Sequence, residues 1–154
     1  MNKATLKKRI IPAILIIFII IQFIPKNSNT SDKLDSHPLF ENIITPKSVV
    51  DNFEAACADC HSNHTDYPWY AKIAPVSFLI DNHVNEGKKH FNADDWNNYS
   101  LKKKNHKLEE CIEMMEEGEM PMKGYVIIHK DADLTAEEKK EMIAWFKSAI
   151  QTKQ

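Results

Sequence analysis

The chain has 154 residues, of which 43% are hydrophobic and 27% are charged, a composition typical of a globular protein. Its formal net charge is −2, and because four basic residues precede Ile10, the rest of the chain carries −6. This charge makes nucleic acid a poor partner, and the length allows one small domain with an appendage.

The amino-terminal segment, residues 1–25, combines four basic residues with an almost wholly aliphatic run, Ile10–Ile24. This pattern predicts an export signal or a membrane anchor. About 15 apolar residues are few for a membrane span, yet no pair of small residues follows the run as a cleavage site would require. We therefore expect an uncleaved, single-pass anchor in the cytoplasmic membrane, with the amino terminus inside and the remainder periplasmic or extracellular.

Residues 26–40 are polar and lack a hydrophobic period, so they are predicted to be a tether, followed by a domain over residues 41–152. In this domain Thr45-Pro46 is typical of a helix start, with threonine as the cap and proline as the first helical residue. Apolar residues then recur at helical spacing: Val49, Val50, Phe53, Ala56 and Cys57. A helix is therefore expected to end at the first of two closely spaced cysteines.

These cysteines open the motif Cys57-Ala58-Asp59-Cys60-His61, which has the C-x-x-C-H spacing of covalent haem attachment. One turn of chain allows both sulfurs to bond to the vinyl groups along one porphyrin edge. The histidine that follows can then offer an imidazole nitrogen to the iron. The motif predicts one covalently attached haem, haem c, held by Cys57 and Cys60 with His61 as an axial ligand.

Two other interpretations of the motif are weaker. Cys57, Cys60, His61 and His64 could close a zinc site, but structural zinc sites usually take their ligands as two separated pairs. A thioredoxin-type redox pair would need a βαβ frame, and no strand-rich pattern flanks Cys57. The remaining cysteine, Cys111, is expected to be a small buried residue on a helix, with a reactive or intermolecular thiol as the alternative.

An aromatic-rich loop, residues 62–70, follows the motif, and its Trp69 is expected in the core beside the haem. Pro75 is predicted to open a second helix with Val76, Leu79, Ile80 and His83 on its buried face, and Gly87 is interpreted as its carboxyl-terminal cap. A histidine on such a face is more often a satisfied core residue than a ligand, although His83 is an alternative ligand of the iron.

A third helix is predicted from Leu101 to Met115, ending at Gly118, and a final helix follows the capping box Thr135 and Glu138. The final helix should bury an apolar stripe: Met142, Ile143, Trp145, Phe146, Ala149 and Ile150. Between these helices, residues 119–125 contain proline and glycine and are predicted to be non-helical. This loop carries Met120 and Met122, either of which could supply a thioether as the sixth ligand.

Several short blocks together resemble the haem-binding domain family of exported proteins similar to c-type cytochromes, from about Phe53 to Ile150. They are Cys57-Ala58-Asp59-Cys60-His61-Ser62-Asn63, Tyr67-Pro68-Trp69-Tyr70, Ala74-Pro75-Val76-Ser77, His83-Val84 with Gly87, and Gly118-Glu119-Met120-Pro121. The resemblance implies haem attachment at Cys57 and Cys60 with His61 as axial ligand, and it favours Met120 over Met122. It does not fix a physiological role.

We therefore expect an all-α, cytochrome-c-like single domain, with about four helices around one covalent haem and an amino-terminal anchor helix. A six-coordinate haem would favour electron transfer between redox partner proteins, so an enzyme is the less favoured interpretation. The alternative is a haem sensor or a peroxidase-like enzyme, which would need an open iron position with His64 or His83 nearby.

Overall fold

The computed structural model describes residues 3–26, 28–41 and 43–150, and in this part of the chain the regular structure consists of helices, without strands. The all-α prediction is confirmed. The α-helices are α1 (Lys3–Ile21), α2 (Lys47–Ala56), α3 (Ala58–His61), α4 (Val76–His90), α5 (Leu101–Glu116), α6 (Lys123–Ile128) and α7 (Ala136–Ala149). Short 3-10 helices cover Pro38–Phe40, Trp69–Lys72, Trp96–Asn98 and Lys130–Ala132.

The described residues divide into two compact units, the first from Met1–Ser28 and Asp66–His83, the second from Asn29–Thr65 and Val84–Gln154. Residues 29–40, part of the stretch predicted to be a tether, cluster with the second unit. Leu39 and Phe40 are buried in its core.

The first unit joins α1 to the turn before α4 through one glutamine. The side chain of Gln22 donates to the carbonyl of Ala74 at 3.1 Å and accepts from the amide of the same residue at 2.9 Å. Most of the large apolar side chains from Ile10 to Ile20 are exposed. Among the described helices, none has the length and apolar character needed to cross a membrane. Most of the segment predicted as an anchor, residues 1–25, lies in α1.

The second unit is held together by α7, which packs against both α5 and α2. Each of these helices carries apolar residues at three-to-four spacing, so each has one face to bury. Together they enclose the core, whose larger members are Leu39, Phe40, Val49, Phe53, Leu108, Ile112, Met115, Met142, Trp145 and Phe146. The predicted apolar stripes of α2, α5 and α7 therefore lie largely inside this unit.

Local signals set the ends of the longer helices. Thr135 and Glu138 form the predicted capping box at the start of α7. The backbone of Gly118 has φ +73°, a conformation that only glycine adopts without strain, and α5 ends just before it, at Glu116. The prediction for α2 was wrong by one residue, because the helix begins at Lys47 and Thr45 does not cap it. Instead, the Thr45 hydroxyl accepts a hydrogen bond from Trp145 Nε1 at 3.1 Å.

Helix α4 corrects two predictions. It continues to His90, so Gly87 lies inside the helix and is not its cap. Val76 and Leu79, predicted on the buried face, are 42% and 57% exposed, while Ser77 and Val84 are buried.

Two further predictions, for Trp69 and for the loop after α5, also differ from the structure. Trp69, expected in the core, is 75% exposed. The loop at residues 119–125 is also shorter than predicted, since α6 begins at Lys123.

Candidate functional site

The candidate site is the turn that carries Cys57, Cys60 and His61, directly after α2. The Cys57 amide donates to the Phe53 carbonyl at 2.9 Å, which continues the hydrogen-bond ladder of α2. The Cys57 carbonyl then accepts from the amides of Cys60 at 3.2 Å and His61 at 2.9 Å. The prediction that a helix delivers both cysteines on one turn is confirmed.

The three thiols of the chain are free, and Cys57 and Cys111 pack against the core of the second unit. Burial raises the pKa of Cys57 far above its usual range and raises the pKa of Cys60 to about 11. Burial likewise raises the pKa of Cys111 to about 12, as expected for a small apolar residue on α5. In the described part of the chain, no group of three or more histidine, cysteine or acidic side chains is placed to hold a metal ion.

The imidazole of His61 is oriented by a backbone carbonyl. Its Nδ1 lies 2.9 Å from the carbonyl oxygen of Phe91, which can only accept, so Nδ1 carries the proton and Nε2 keeps a free lone pair. Burial lowers the pKa of His61 and outweighs the nearby carbonyls of Phe91 and Gly87, which favour the protonated form. The neutral imidazole is therefore favoured, which is the form that ligates metals.

Helix α4 approaches the back of this turn at Gly87. A Cβ atom at that position would lie 2.6 Å from the carbonyl oxygen of Cys60 and 3.1 Å from its Cβ. Only a residue without a side chain allows this approach. The sequence showed the glycine, but its spacing within the helix gave no sign of a contact with Cys60.

The chain after His61 is fixed on one side by the segment predicted to be a tether. The Ser31 amide donates to the Asn63 carbonyl at 3.1 Å, and the Thr65 amide donates to the Asn29 carbonyl at 2.9 Å. These bonds make a short antiparallel bridge between Thr30 and His64. The His64 ring lies against the Ser31 carbonyl, with Nδ1 at 2.6 Å from its oxygen.

The segment that carries Met120 and Met122 belongs to the same unit. The amides of Glu119 and Met120 both donate to the Met114 carbonyl, at 2.9 and 3.1 Å, which turns the chain back after α5. Both methionines are half-buried. His83, the other alternative ligand, lies on the part of α4 that clusters with the first unit.

A tyrosine joins this segment to the cysteine turn. The Tyr125 hydroxyl donates to Asp59 Oδ2 at 2.8 Å, and the tyrosine ring stacks on that of His129 with centroids 4.0 Å apart. Burial and the hydrogen bond to Asp59 raise the pKa of Tyr125. Asp59 occupies one of the two variable positions of the C-x-x-C-H motif, so the sequence pattern gave it no role.

Comparison with known families gives a match to the family described as "Haem-binding domain" over residues 16–148, most of the chain. The chain belongs to the haem-binding domain family. The resemblance drawn from the sequence blocks is thus confirmed at the level of the family. No curated protein and no solved structure matches this haem-binding domain.

The residues present fit a haem. The cysteine turn offers two free sulfurs within four residues, and the adjacent His61 has a free Nε2 lone pair, a proton fixed on Nδ1 and a lowered pKa. This donor set suits an iron porphyrin better than a bare ion, because imidazole is the commonest haem ligand and thiols add to the porphyrin edge. Family membership and donor chemistry thus agree on haem as the cofactor.

Proposed function

We propose that this haem-binding domain is a monohaem protein similar to c-type cytochromes that carries single electrons. The observation that supports this proposal is the pairing of two free thiols on one turn with a neutral, oriented imidazole at His61. A bound haem would supply an iron that changes oxidation state by one electron. The protein would hold its axial ligand with little rearrangement, because the Phe91 carbonyl fixes the imidazole in both states.

Covalent attachment is the first part of the proposal to test. We expect wild-type protein made with a haem-attachment system to keep its haem through denaturing electrophoresis. Cys57→Ala, Cys60→Ala protein should lose all of the haem stain, because no thioether can form. The matched control is Cys111→Ala, which removes the third thiol and should leave the stain unchanged. Extraction of all haem from wild-type protein by acidified organic solvent would show that the cofactor is not covalently bound.

For the sixth ligand we propose Met120. Its thioether lies on a segment held by the Met114 carbonyl on one side and by Tyr125 and Asp59 on the other. A thioether ligand raises the reduction potential relative to a second imidazole, which suits a carrier. Met122 and His83 are the alternatives.

Spectroscopy of the oxidised protein distinguishes these ligands. We expect a weak red absorption band from methionine-to-iron charge transfer in wild type, its loss in Met120→Ala and its retention in Met122→Ala and His83→Ala. Tight, rapid binding of carbon monoxide to the reduced wild type would contradict a closed six-coordinate site and favour a sensor or peroxidase-like enzyme.

We also propose that the domain works outside the cytoplasmic membrane and exchanges electrons with redox partner proteins. The basic, aliphatic segment before Pro25 supports export, and the net charge of −6 on the remainder argues against nucleic acid as a partner. Protease added to spheroplasts should digest the domain if it faces the outside.

A further inference from the structure

A buried ionisable cluster, formed by His37, Glu54 and Asp94, lies in the second unit and has no part in holding a haem. The His37 side chain is 5% exposed and that of Asp94 6%, whereas Glu54 is 31% exposed. His37 Nδ1 contacts Asp94 Oδ1, and His37 Nε2 lies 2.9 Å from Glu54 Oε1 in an ion pair without hydrogen-bond geometry. Two carboxylates therefore face one imidazole inside the protein.

This cluster is joined to His61 by a short loop, residues 91–95. The second oxygen of Asp94 accepts from the Asn63 amide at 2.7 Å. Earlier in the loop, the Ala93 amide donates to the His61 carbonyl at 2.8 Å, and the Phe91 carbonyl holds the imidazole. The loop thus contacts the proposed iron ligand at one end and the cluster at the other.

The charge of the cluster depends on one proton. With His37 protonated, the imidazolium and Lys33, whose Nζ lies 3.8 Å from Glu54, balance the two carboxylates. With His37 neutral, the same four side chains carry a net charge of −1. Burial alone lowers the pKa of His37, but its close contacts with the Glu54 and Asp94 carboxylates outweigh that effect, so the pKa of His37 is raised above its usual value of 6.5. The proton is therefore exchanged above pH 6.5.

We propose that the cluster of His37, Glu54 and Asp94 takes up a proton when the domain accepts an electron. This inference rests on the proposed function. One electron from a one-electron donor protein adds a negative charge at the iron held by His61, and one proton from solvent adds a positive charge at His37. The net charge of the domain is then unchanged, and re-oxidation releases the electron and the proton together.

The physical reason is the low effective dielectric constant around buried groups. A charge added near His61 acts on a buried imidazole more strongly than it would through water. Because linkage is reciprocal, the electron raises the proton affinity of His37 by the same factor as the proton raises the electron affinity. The reduction potential should therefore fall as the pH rises above 6.5, with a slope of at most about 59 mV per pH unit, the limit for one proton per electron.

The test measures the midpoint potential of the holoprotein from pH 5.5 to 9. We expect a falling potential above pH 6.5 in wild type and a flat profile over the same range in His37→Gln. Glu54→Gln removes one of the two carboxylate charges that face His37, at a partly exposed position, so this variant should fold. Its midpoint potential should begin to fall at a lower pH than that of wild type. The matched control is His106→Gln, since His106 is 63% exposed and pairs with Glu110 at 3.2 Å. This control should keep the wild-type profile.

Proton uptake can also be measured directly, by following an indicator dye when the unbuffered protein is reduced between pH 7 and 8. We expect uptake of up to one proton per electron in wild type and a clear decrease in Glu54→Gln. A reversible couple with equal pH profiles in wild type, His37→Gln and Glu54→Gln would overturn this inference and leave electron transfer intact. Absence of a reversible one-electron couple would overturn the proposed function and the inference with it.

Discussion

Replacing Gly87 by alanine should destabilise the second unit and impair haem attachment. The new methyl group would lie 2.6 Å from the carbonyl oxygen of Cys60, a backbone atom that cannot rotate away. Forcing an extra carbon into a packed contact costs about 1–3 kcal/mol. Alanine recovers about 0.5–1 kcal/mol as the better helix former, so the net loss should be at most about 2.5 kcal/mol. The strain also falls on the turn that positions both sulfurs.

The measurement combines urea unfolding with the amount of covalent haem per chain. Gly124→Ala is the matched control, because a Cβ there meets no atom within 4 Å and Gly124 also lies in a helix of the second unit. That variant should be as stable as wild type or slightly more stable. Equal stability and equal haem content in the two variants would contradict the close approach of α4 to Cys60.

The largest loss of stability is expected for Phe53→Ala. The Phe53 side chain is 1% exposed and meets the rings of Phe40 and Phe91 edge to face, at 5.3 and 6.4 Å between centroids. Truncating a buried phenylalanine costs about 3–5 kcal/mol through lost burial and the cavity left behind. Because a domain is stable by only about 5–15 kcal/mol, this loss removes a large part of its stability, and the thermal unfolding transition should move to a clearly lower temperature. Circular dichroism during thermal unfolding measures the effect.

Trp69→Ala is the contrasting variant for this prediction. Both residues are aromatic and lie close to the cysteines in sequence, but Trp69 is 75% exposed. Its truncation should change the free energy of unfolding by less than about 0.5 kcal/mol, as for most surface substitutions. A loss of more than 2 kcal/mol would show that Trp69 is packed after all.

Features decided by neighbouring residues could be predicted from the sequence. The capping box of Thr135 and Glu138 and the end of α5 at Gly118 depend only on local backbone chemistry, and both are present as predicted. The period of apolar residues likewise predicted the buried stripes of α5 and α7, because each long helix must cover one face.

Features decided by distant parts of the chain could not be predicted in this way. Gly87 was interpreted as a cap because glycine usually ends helices, whereas its partner, Cys60, lies 27 residues away in sequence. Thr45 was interpreted as a helix cap, but its hydroxyl accepts a hydrogen bond from Trp145 Nε1. The polar stretch before Phe40 lacks a hydrophobic period, yet its backbone pairs with the chain around His64.

In the candidate site, too, only the features decided by neighbouring residues could be predicted from the sequence. The donors Cys57, Cys60 and His61 are contiguous, so their spacing alone indicated haem attachment. The groups that contact this motif from other segments are the Phe91 carbonyl, which accepts from His61, and the Tyr125 hydroxyl, which donates to Asp59. Every residue has a backbone carbonyl, so the sequence does not indicate which one will bind His61. No sequence pattern predicted that His37 would lie beside Asp94.

The packing of α7 against α2 also sets an order of events in time. Trp145 bonds to Thr45 across 100 residues, so the core around α2 cannot close until the final helix has been synthesised. At roughly 5–20 residues per second, translation of the stretch between the cysteine turn and Trp145 takes on the order of ten seconds. During that interval α2 lacks its last packing partner, and the core of the second unit beside the cysteine turn stays incomplete.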